Sequence, residues 1–199
     1  MAALKGLLLA VFALFASMAI ATHDPRANYT FELNPTWEVQ AFVDGPFFNL
    51  SGPVEKVYAE LLKINPNLDE DFKHLRNATR DAEFEAELAT RDTSYLKIAC
   101  LIVDLVSIKR IREGIEYLSK VPGRPAMDAH TCGRVSCSYD SHISWCNDND
   151  HRFSLPGFYN IGQGASVIID KCTYHNRVAG SLDHDDNWRV DVRLDHHNC

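Results

Sequence analysis

The amino-acid sequence predicts an α+β protein: a disulfide-stapled antiparallel sheet with two helices, preceded by a smaller α/β N-terminal part. Three observations lead to this fold class. Residues 93–199 alternate strand and helix patterns in the order strand, helix, strand, strand, helix, strand. All six cysteines lie in that half, and the last strand alternates apolar and charged side chains. Together these features predict the split βαβ arrangement, with both helices on one face of the sheet.

The chain begins with residues typical of an export signal. Lys5 precedes an apolar run that continues to about Ile20, and Ala19-Ile20-Ala21 matches the small-residue pattern of a cleavage site. The run is short for a membrane span, and no later segment is long and apolar enough to be one. We therefore assign residues 1–21 to a signal peptide and expect a secreted, extracellular protein without a membrane span.

Export changes how the cysteines are interpreted. Their even number and an oxidising compartment favour three disulfides over a zinc site, because the chain contains no C-x-x-C pair. The six residues are Cys100, Cys132, Cys137, Cys146, Cys172 and Cys199. N-x-S/T sequons at Asn28, Asn49 and Asn77 predict glycosylation, in agreement with secretion.

The first part, residues 22–92, contains no cysteine and has the patterns of both strands and helices. Trp37, Val39, Ala41 and Val43 alternate along TWEVQAFV and share one side of a strand. The predicted elements are this strand at 36–43, a turn at 44–45, a return strand from 47, a helix between Gly52-Pro53 and Asn65-Pro66, and a charged helix over 68–89.

The second part, residues 93–199, has a clearer periodicity. Its elements are a strand at 95–102, a helix whose apolar stripe is Ile108, Ile111, Ile115 and Leu118, a hairpin at 132–148 turning near Asp140-Ser141, a helix ending at Cys172, and a strand from Trp188. A shorter strand near 178–182 is the candidate partner of this last strand. Gly162 and Gly164 weaken the second helix near its start, so we expect it to begin late. In WRVDVRLD, the arginines and aspartates share one face, which we expect to meet solvent.

The pattern also predicts one disulfide. In the split βαβ arrangement the first strand is central, and the second helix crosses near it. Cys100 lies late in that strand on the face of Leu96 and Ile98, and Cys172 ends the apolar stripe of the second helix. Both thiols should then meet at one end of the sheet, so we predict that Cys100 pairs with Cys172.

Two groups of polar residues are candidates for chemistry. The hairpin carries Ser138, Asp140, Ser141, His142 and Ser144, but these are ordinary turn residues and no G-x-S-x-G elbow is present. The clusters at 183–186 and 195–197 combine aspartate with histidine, without a fixed metal-ligand spacing. We therefore assign no catalytic residue, metal or cofactor. A secreted hydrolase or RNase-like enzyme using these His/Asp clusters is the alternative.

Residues 95–199 resemble fungal small secreted cysteine-rich proteins. The resemblance is to the killer-toxin-like αβ sandwich of smut-fungus toxins and related effectors. The segments that carry it are LKIAC, IKRIREGIEYL, CGRVSCSYDSHISWCND, GASVIIDKC and WRVDVRL…C. This chain departs from compact toxins in its cysteine-free first part and in its acidity.

The resemblance implies a secreted, non-enzymatic effector-like or toxin-like protein that binds a target of a host or competitor. It does not name that target, and we expect a monomer. The net charge of −7 argues against nucleic acid as the partner, because phosphate backbones attract basic surfaces.

Overall fold

The computed structural model describes residues 29–77, 95–197 and 199. The predicted signal peptide, Asn28, the predicted helix beyond residue 77 and the proposed boundary between the two parts lie outside these residues. The structure contains helices α1 (Val54–Ile64), α2 (Leu68–Asp71), α3 (Ile108–Lys120) and α4 (Phe158–Cys172). Its strands are β1 (Thr30–Glu32), β2 (Thr36–Gln40), β3 (Phe47–Ser51), β4 (Tyr95–Cys100), β5 (Val106–Ser107), β6 (Gly123–Arg124), β7 (Ala126–Met127), β8 (Thr131–Ser138), β9 (Ser141–Asn147), β10 (Phe153–Ser154), β11 (Thr173–Tyr174), β12 (Arg177–Val178), β13 (Gly180–His184) and β14 (Trp188–Leu194).

The main sheet has six strands in the order β1-β8-β9-β14-β13-β4. Only the β1–β8 pair in this sheet is parallel, so the chain is α+β as the sequence predicts. The split βαβ arrangement is not confirmed. The last hairpin contributes two strands, β13 and β14, and this places β4 at the edge of the sheet rather than at its centre.

Helices α3 and α4 pack against each other and against one face of the sheet. Helix α3 contacts β8 and β9, while α4 contacts β4, β13 and β14. The predicted apolar stripes are buried except for Ile115 of α3, which is half-buried, and α4 does not begin late. A Cβ atom on Gly164 would lie 2.7 Å from Val190 Cγ2, so this glycine allows a close approach of α4 to β14.

The first part of the chain packs onto the second. Strand β2 pairs with β3, as predicted, and also with β6, while β1 extends the main sheet. Trp37 is buried, its Nε1 donates to the Gly52 carbonyl at 2.9 Å, and its ring meets that of Phe158 edge-on at 5.5 Å. One hydrophobic core therefore contains side chains from both parts.

The cysteine-rich stretch forms the β8–β9 hairpin. Tyr139 and Asp140 occupy the left-handed region, with φ of 48° and 57°, as a two-residue hairpin turn requires. Cys132 and Cys146 face each other across the strands and are bonded. The prediction of a stapled hairpin is confirmed, with its turn one residue earlier than expected.

The other two disulfides join distant segments. Cys100 is bonded to Cys172 with a Cα–Cα distance of 5.1 Å, which confirms the predicted pair. The pair forms although β4 is an edge strand, because Gly180 of β13 lies opposite Cys100 and leaves room for the Cys172 sulfur. Cys137 is bonded to Cys199. Three disulfides in a small chain are typical of extracellular proteins.

The charged face of β14 is not exposed to solvent, contrary to expectation. Arg189 and Asp191 are only 6% and 5% exposed. Arg189 pairs with Asp148 and lies 3.4 Å from Asp191, and the Asp191 carboxylate also forms an ion pair with Arg193 at 3.0 Å. The ring of Tyr29 lies over the Arg189 guanidinium at 5.1 Å. This face is therefore a buried network of ion pairs.

Candidate functional site

The serines and histidine of the hairpin are strand residues, not turn residues. Ser141, His142 and Ser144 lie in β9 and are buried. Ser141 Oγ donates to the Tyr139 carbonyl at 3.3 Å. His142 lies directly opposite Cys137 in the β8–β9 register. The prediction that these side chains decorate a surface turn is therefore wrong, because the turn ends before them.

His142 lies beside a buried carboxylate. Its Nδ1 is 3.9 Å from Asp195 Oδ2, which accepts a hydrogen bond from Arg134 at 2.8 Å. Burial lowers the pKa of His142 to about 4, and the attraction of Asp195 offsets only part of that effect. Burial alone would raise the pKa of Asp195, but hydrogen bonds from Arg134 and the His197 backbone outweigh it and lower the pKa.

The two His/Asp clusters lie at opposite ends of β14. One, at 183–186, spans the end of β13 and the turn after it, and the other follows β14 at 195–197. The seven residues of β14 separate them by about 20 Å. His184 stacks on Trp188 with ring centroids 3.5 Å apart, and burial lowers its pKa to about 4. His196 lies 3.9 Å from Asp104. The clusters therefore do not form one site.

A cavity of about 540 Å³ lies between α1, α3 and the end of β8. Three carboxylates, two tyrosines and one lysine share its wall with the end of the strand. The lining residues are Glu55, Tyr58, Glu113, Glu116, Tyr117, Lys120, Cys137 and Ser138. The described lining is thus more acidic than basic.

Glu55 is the carboxylate of this cavity that is hydrogen-bonded to the end of β8 and has a raised pKa. Its Oε1 accepts a hydrogen bond from Ser136 Oγ at 2.5 Å, and its Oε2 accepts from the Cys137 amide at 3.4 Å. Burial raises the pKa of Glu55, and these hydrogen bonds together with the charge of Arg134 offset that effect only in part. A carboxylate whose pKa is raised by burial in a cavity is a candidate binding group.

The rest of the wall is arranged by aromatic and ionic contacts. The rings of Tyr58 and Tyr117 meet edge-on at 5.6 Å. Tyr58 donates to Asp69 at 2.6 Å, and burial together with this carboxylate raises the pKa of Tyr58 to about 12. Lys120 pairs with Glu116 at 2.6 Å. These contacts hold two tyrosine rings and a carboxylate–ammonium pair around the cavity.

The sequence identifies Glu55 only as an acidic residue in the first turn of a predicted helix. Its partner Ser136 lies 81 residues later, so no local signal marks the cavity. Of the predicted glycosylation sites, Asn49 is exposed on β3 and Asn77 is exposed at the end of a described segment. Glycosylation itself stays a prediction.

No helix in the described segments is both long and apolar enough to span a membrane. Comparisons with protein-family models, curated proteins and solved structures find no match to this chain.

Proposed function

We propose that the protein is secreted, effector-like or toxin-like, and non-enzymatic, and that it binds a basic group of a host or competitor target in the acidic cavity. The single observation that carries this proposal is the Glu55 carboxylate at the cavity wall. It is held by an uncharged hydroxyl and an amide while burial raises its pKa. The resemblance of residues 95–199 to killer-toxin-like proteins agrees with a binding role outside the producing cell.

A lysine or arginine side chain of the target matches the chemistry of this wall. The described lining holds three carboxylates and one ammonium group. A cation beside Glu55 would form a charge-assisted hydrogen bond and stabilise the charged carboxylate. The rings of Tyr58 and Tyr117 offer faces and edges against which an alkyl stem or guanidinium can pack.

The enzymatic alternative lacks this kind of support. A hydrolase or RNase-like mechanism needs an acid, a base and a substrate group within hydrogen-bond reach of one another. The His/Asp clusters stand at opposite ends of β14, and His184 is stacked against Trp188. A binding role requires no such convergence.

Calorimetric titration with short peptides tests the binding role. The probes are acetylated tetralysine and tetraarginine, with acetylated tetraglutamate as the acidic control. Glu55→Gln keeps the shape of the side chain and removes its charge, so it should weaken binding of the basic peptides about tenfold to a hundredfold. Glu60→Gln is the matched control, because Glu60 also lies in α1 but pairs with Lys63 at the surface.

Two results would contradict the proposal. One is the absence of binding of either basic peptide by the oxidised protein at low ionic strength. The other is an equal loss in the Glu55 and Glu60 variants, which would indicate general surface attraction. Turnover assays on RNA, glycan and ester substrates address the alternative. Turnover that is lost on alanine substitution within 183–186 or 195–197 would favour an enzyme.

A further inference from the structure

The Cys137–Cys199 disulfide lies in a cluster of groups that are good metal ligands. Cys137 Sγ is 3.1 Å from Asp195 Oδ2. The ligand atoms of Cys137, Asp195 and Cys199 all lie within 4.8 Å of one another. Ser136 and Ile143 face Gly114 of α3, so the side chains of their neighbours Cys137 and His142 lie on the opposite face of the sheet, although the Cys137 residue also borders the cavity.

His142 completes this cluster. Its residue is 6% exposed, and neither ring nitrogen has a hydrogen-bond partner among the described residues. Its Nδ1 lies 3.9 Å from Asp195 Oδ2, and it is the cross-strand neighbour of Cys137. A buried ring without hydrogen bonds is unfavourable, so a ligand for this nitrogen would remove a cost.

We propose that the dithiol form of the protein binds one Zn²⁺ through Cys137, Cys199, His142 and Asp195. Thiolate, imidazole and carboxylate are all zinc ligands, and four of them complete the tetrahedral coordination that zinc prefers. Zinc–ligand bonds of this kind place neighbouring ligand atoms about 3.4–3.8 Å apart. The separations of 3.1 Å from Asp195 to Cys137 and 3.9 Å from Asp195 to His142 are close to that range. The two sulfurs must move apart to the same range once their bond is broken.

Charge also favours a divalent cation. Two thiolates and one carboxylate carry three negative charges, and Arg134 donates to Asp195 at 2.8 Å. Arg134 and Zn²⁺ together supply the three positive charges that balance them. The guanidinium also holds the carboxylate in place, as partners of metal ligands commonly do.

The site forms only when this disulfide is reduced, and the reductant is a dithiol. A thiolate of the dithiol attacks the exposed Cys199 sulfur. The S–S bond breaks, and its electron pair leaves on the Cys137 sulfur, which takes a proton. The second thiol of the dithiol then displaces Cys199, so two electrons and two protons pass to the protein and the dithiol becomes a cyclic disulfide. Binding of Zn²⁺ releases the two protons. Cys132 and Cys146 are buried, so their disulfide is less accessible, whereas Cys100 is exposed and its bond to Cys172 is open to the same reductant.

The experiment uses the mature chain, oxidised or treated with dithiothreitol and desalted under nitrogen. Zinc chloride is titrated against a chromophoric chelator, and Co²⁺ substitution reports thiolate ligation by its charge-transfer absorption. The reduced protein should bind one Zn²⁺ per chain, and the oxidised protein should bind none at this site. Zinc should also slow alkylation of Cys137 and Cys199 in the unsubstituted chain, which peptide mapping measures without any variant.

Variants identify the nitrogen ligand. His142→Gln should weaken zinc binding at least about tenfold, because even partners of metal ligands contribute about tenfold to a hundredfold. His196→Gln is the matched control, since His196 follows Asp195 in the chain but is exposed and lies beside Asp104. The proposal is wrong if the reduced chain takes up no zinc, if other cysteines are protected, or if the His142 variant binds as tightly as the parent.

Discussion

Replacing three glycines of α3 and α4 by alanine, one at a time, should raise the free energy of unfolding at one position and not at the other two. Gly162 and Gly164 lie in α4, and Gly114 lies in α3. A Cβ atom on Gly162 would lie 3.5 Å from its nearest neighbour, which is ordinary contact. On Gly164 it would lie 2.7 Å from Val190, and on Gly114 it would lie 2.2 Å from Ser136 Oγ.

The magnitudes follow from these distances. Glycine to alanine in a helix interior stabilises a protein by about 1 kcal/mol when nothing is displaced. We expect that gain for Gly162→Ala. For Gly164→Ala, crowding of about 1–3 kcal/mol against buried Val190 cancels or exceeds the gain. For Gly114→Ala, Ser136 must leave the Glu55 carboxylate, a hydrogen bond of about 1.5–3 kcal/mol, so the variant loses about 0.5–2 kcal/mol after the helix gain is subtracted.

Urea denaturation of the oxidised protein, followed by tryptophan fluorescence, measures all three variants. Gly162→Ala should also raise the melting temperature by about 2–4 °C. If all three variants change stability in the same direction, the close packing of α3 and α4 on the sheet is not the reason for these glycines.

Three other predictions concern cross-links, packing and pH. Replacing Cys100 and Cys172 by alanine opens a loop spanning 72 residues and should cost about 4 kcal/mol, measured by urea denaturation; a loss below about 1 kcal/mol would contradict the chain-entropy argument. Trp37→Ala removes a buried ring that packs on Phe158 and should cost about 3–5 kcal/mol, with one transition for the whole chain; an unchanged melting temperature would contradict the shared core. Burial lowers the pKa of His184 to about 4, although the neighbouring aspartates attract the proton. The free energy of unfolding should therefore be greatest above pH 6.5 and decline as the pH falls toward 4. The same pH profile in His184→Gln would exclude this residue as the cause.

Local patterns predicted the type of most elements, but burial follows the predicted period only where an element is covered by others. Trp37 and Val39 of β2 are buried, whereas Val43 is exposed because the strand ends at Gln40. Residues 97–100 of β4 are exposed on both faces, yet the predicted Cys100–Cys172 pair forms. The predicted central position of β4 was wrong, since β4 lies at the sheet edge. The sequence indicates a strand near 178–182 beside the last strand, but it does not show that this strand also pairs with β4 and so separates β4 from β14.

Two other differences arise from long-range contacts. The register of β8 shifts between Arg134 and Ser136, and this bulge places Cys137 opposite His142. The charged face of β14 carries the alternation typical of a solvated strand, yet Arg189 and Asp191 are buried because they neutralise each other and Asp148. Alternating polarity identifies the two faces of a strand, and it does not show whether the polar face is covered.

Local sequence patterns do not identify the cavity, because its residues come from distant parts of the chain. Glu55 belongs to the first part of the chain, and Ser136 and Cys137 belong to the second. The carboxylate reaches them because α1 packs against α3 and β8. The same contact places Ser136 Oγ where a side chain on Gly114 would clash, so the glycine and the buried carboxylate depend on one serine hydroxyl. Neither part alone contains this arrangement, so a fragment of residues 93–199 should fail to bind the basic peptides even if it folds.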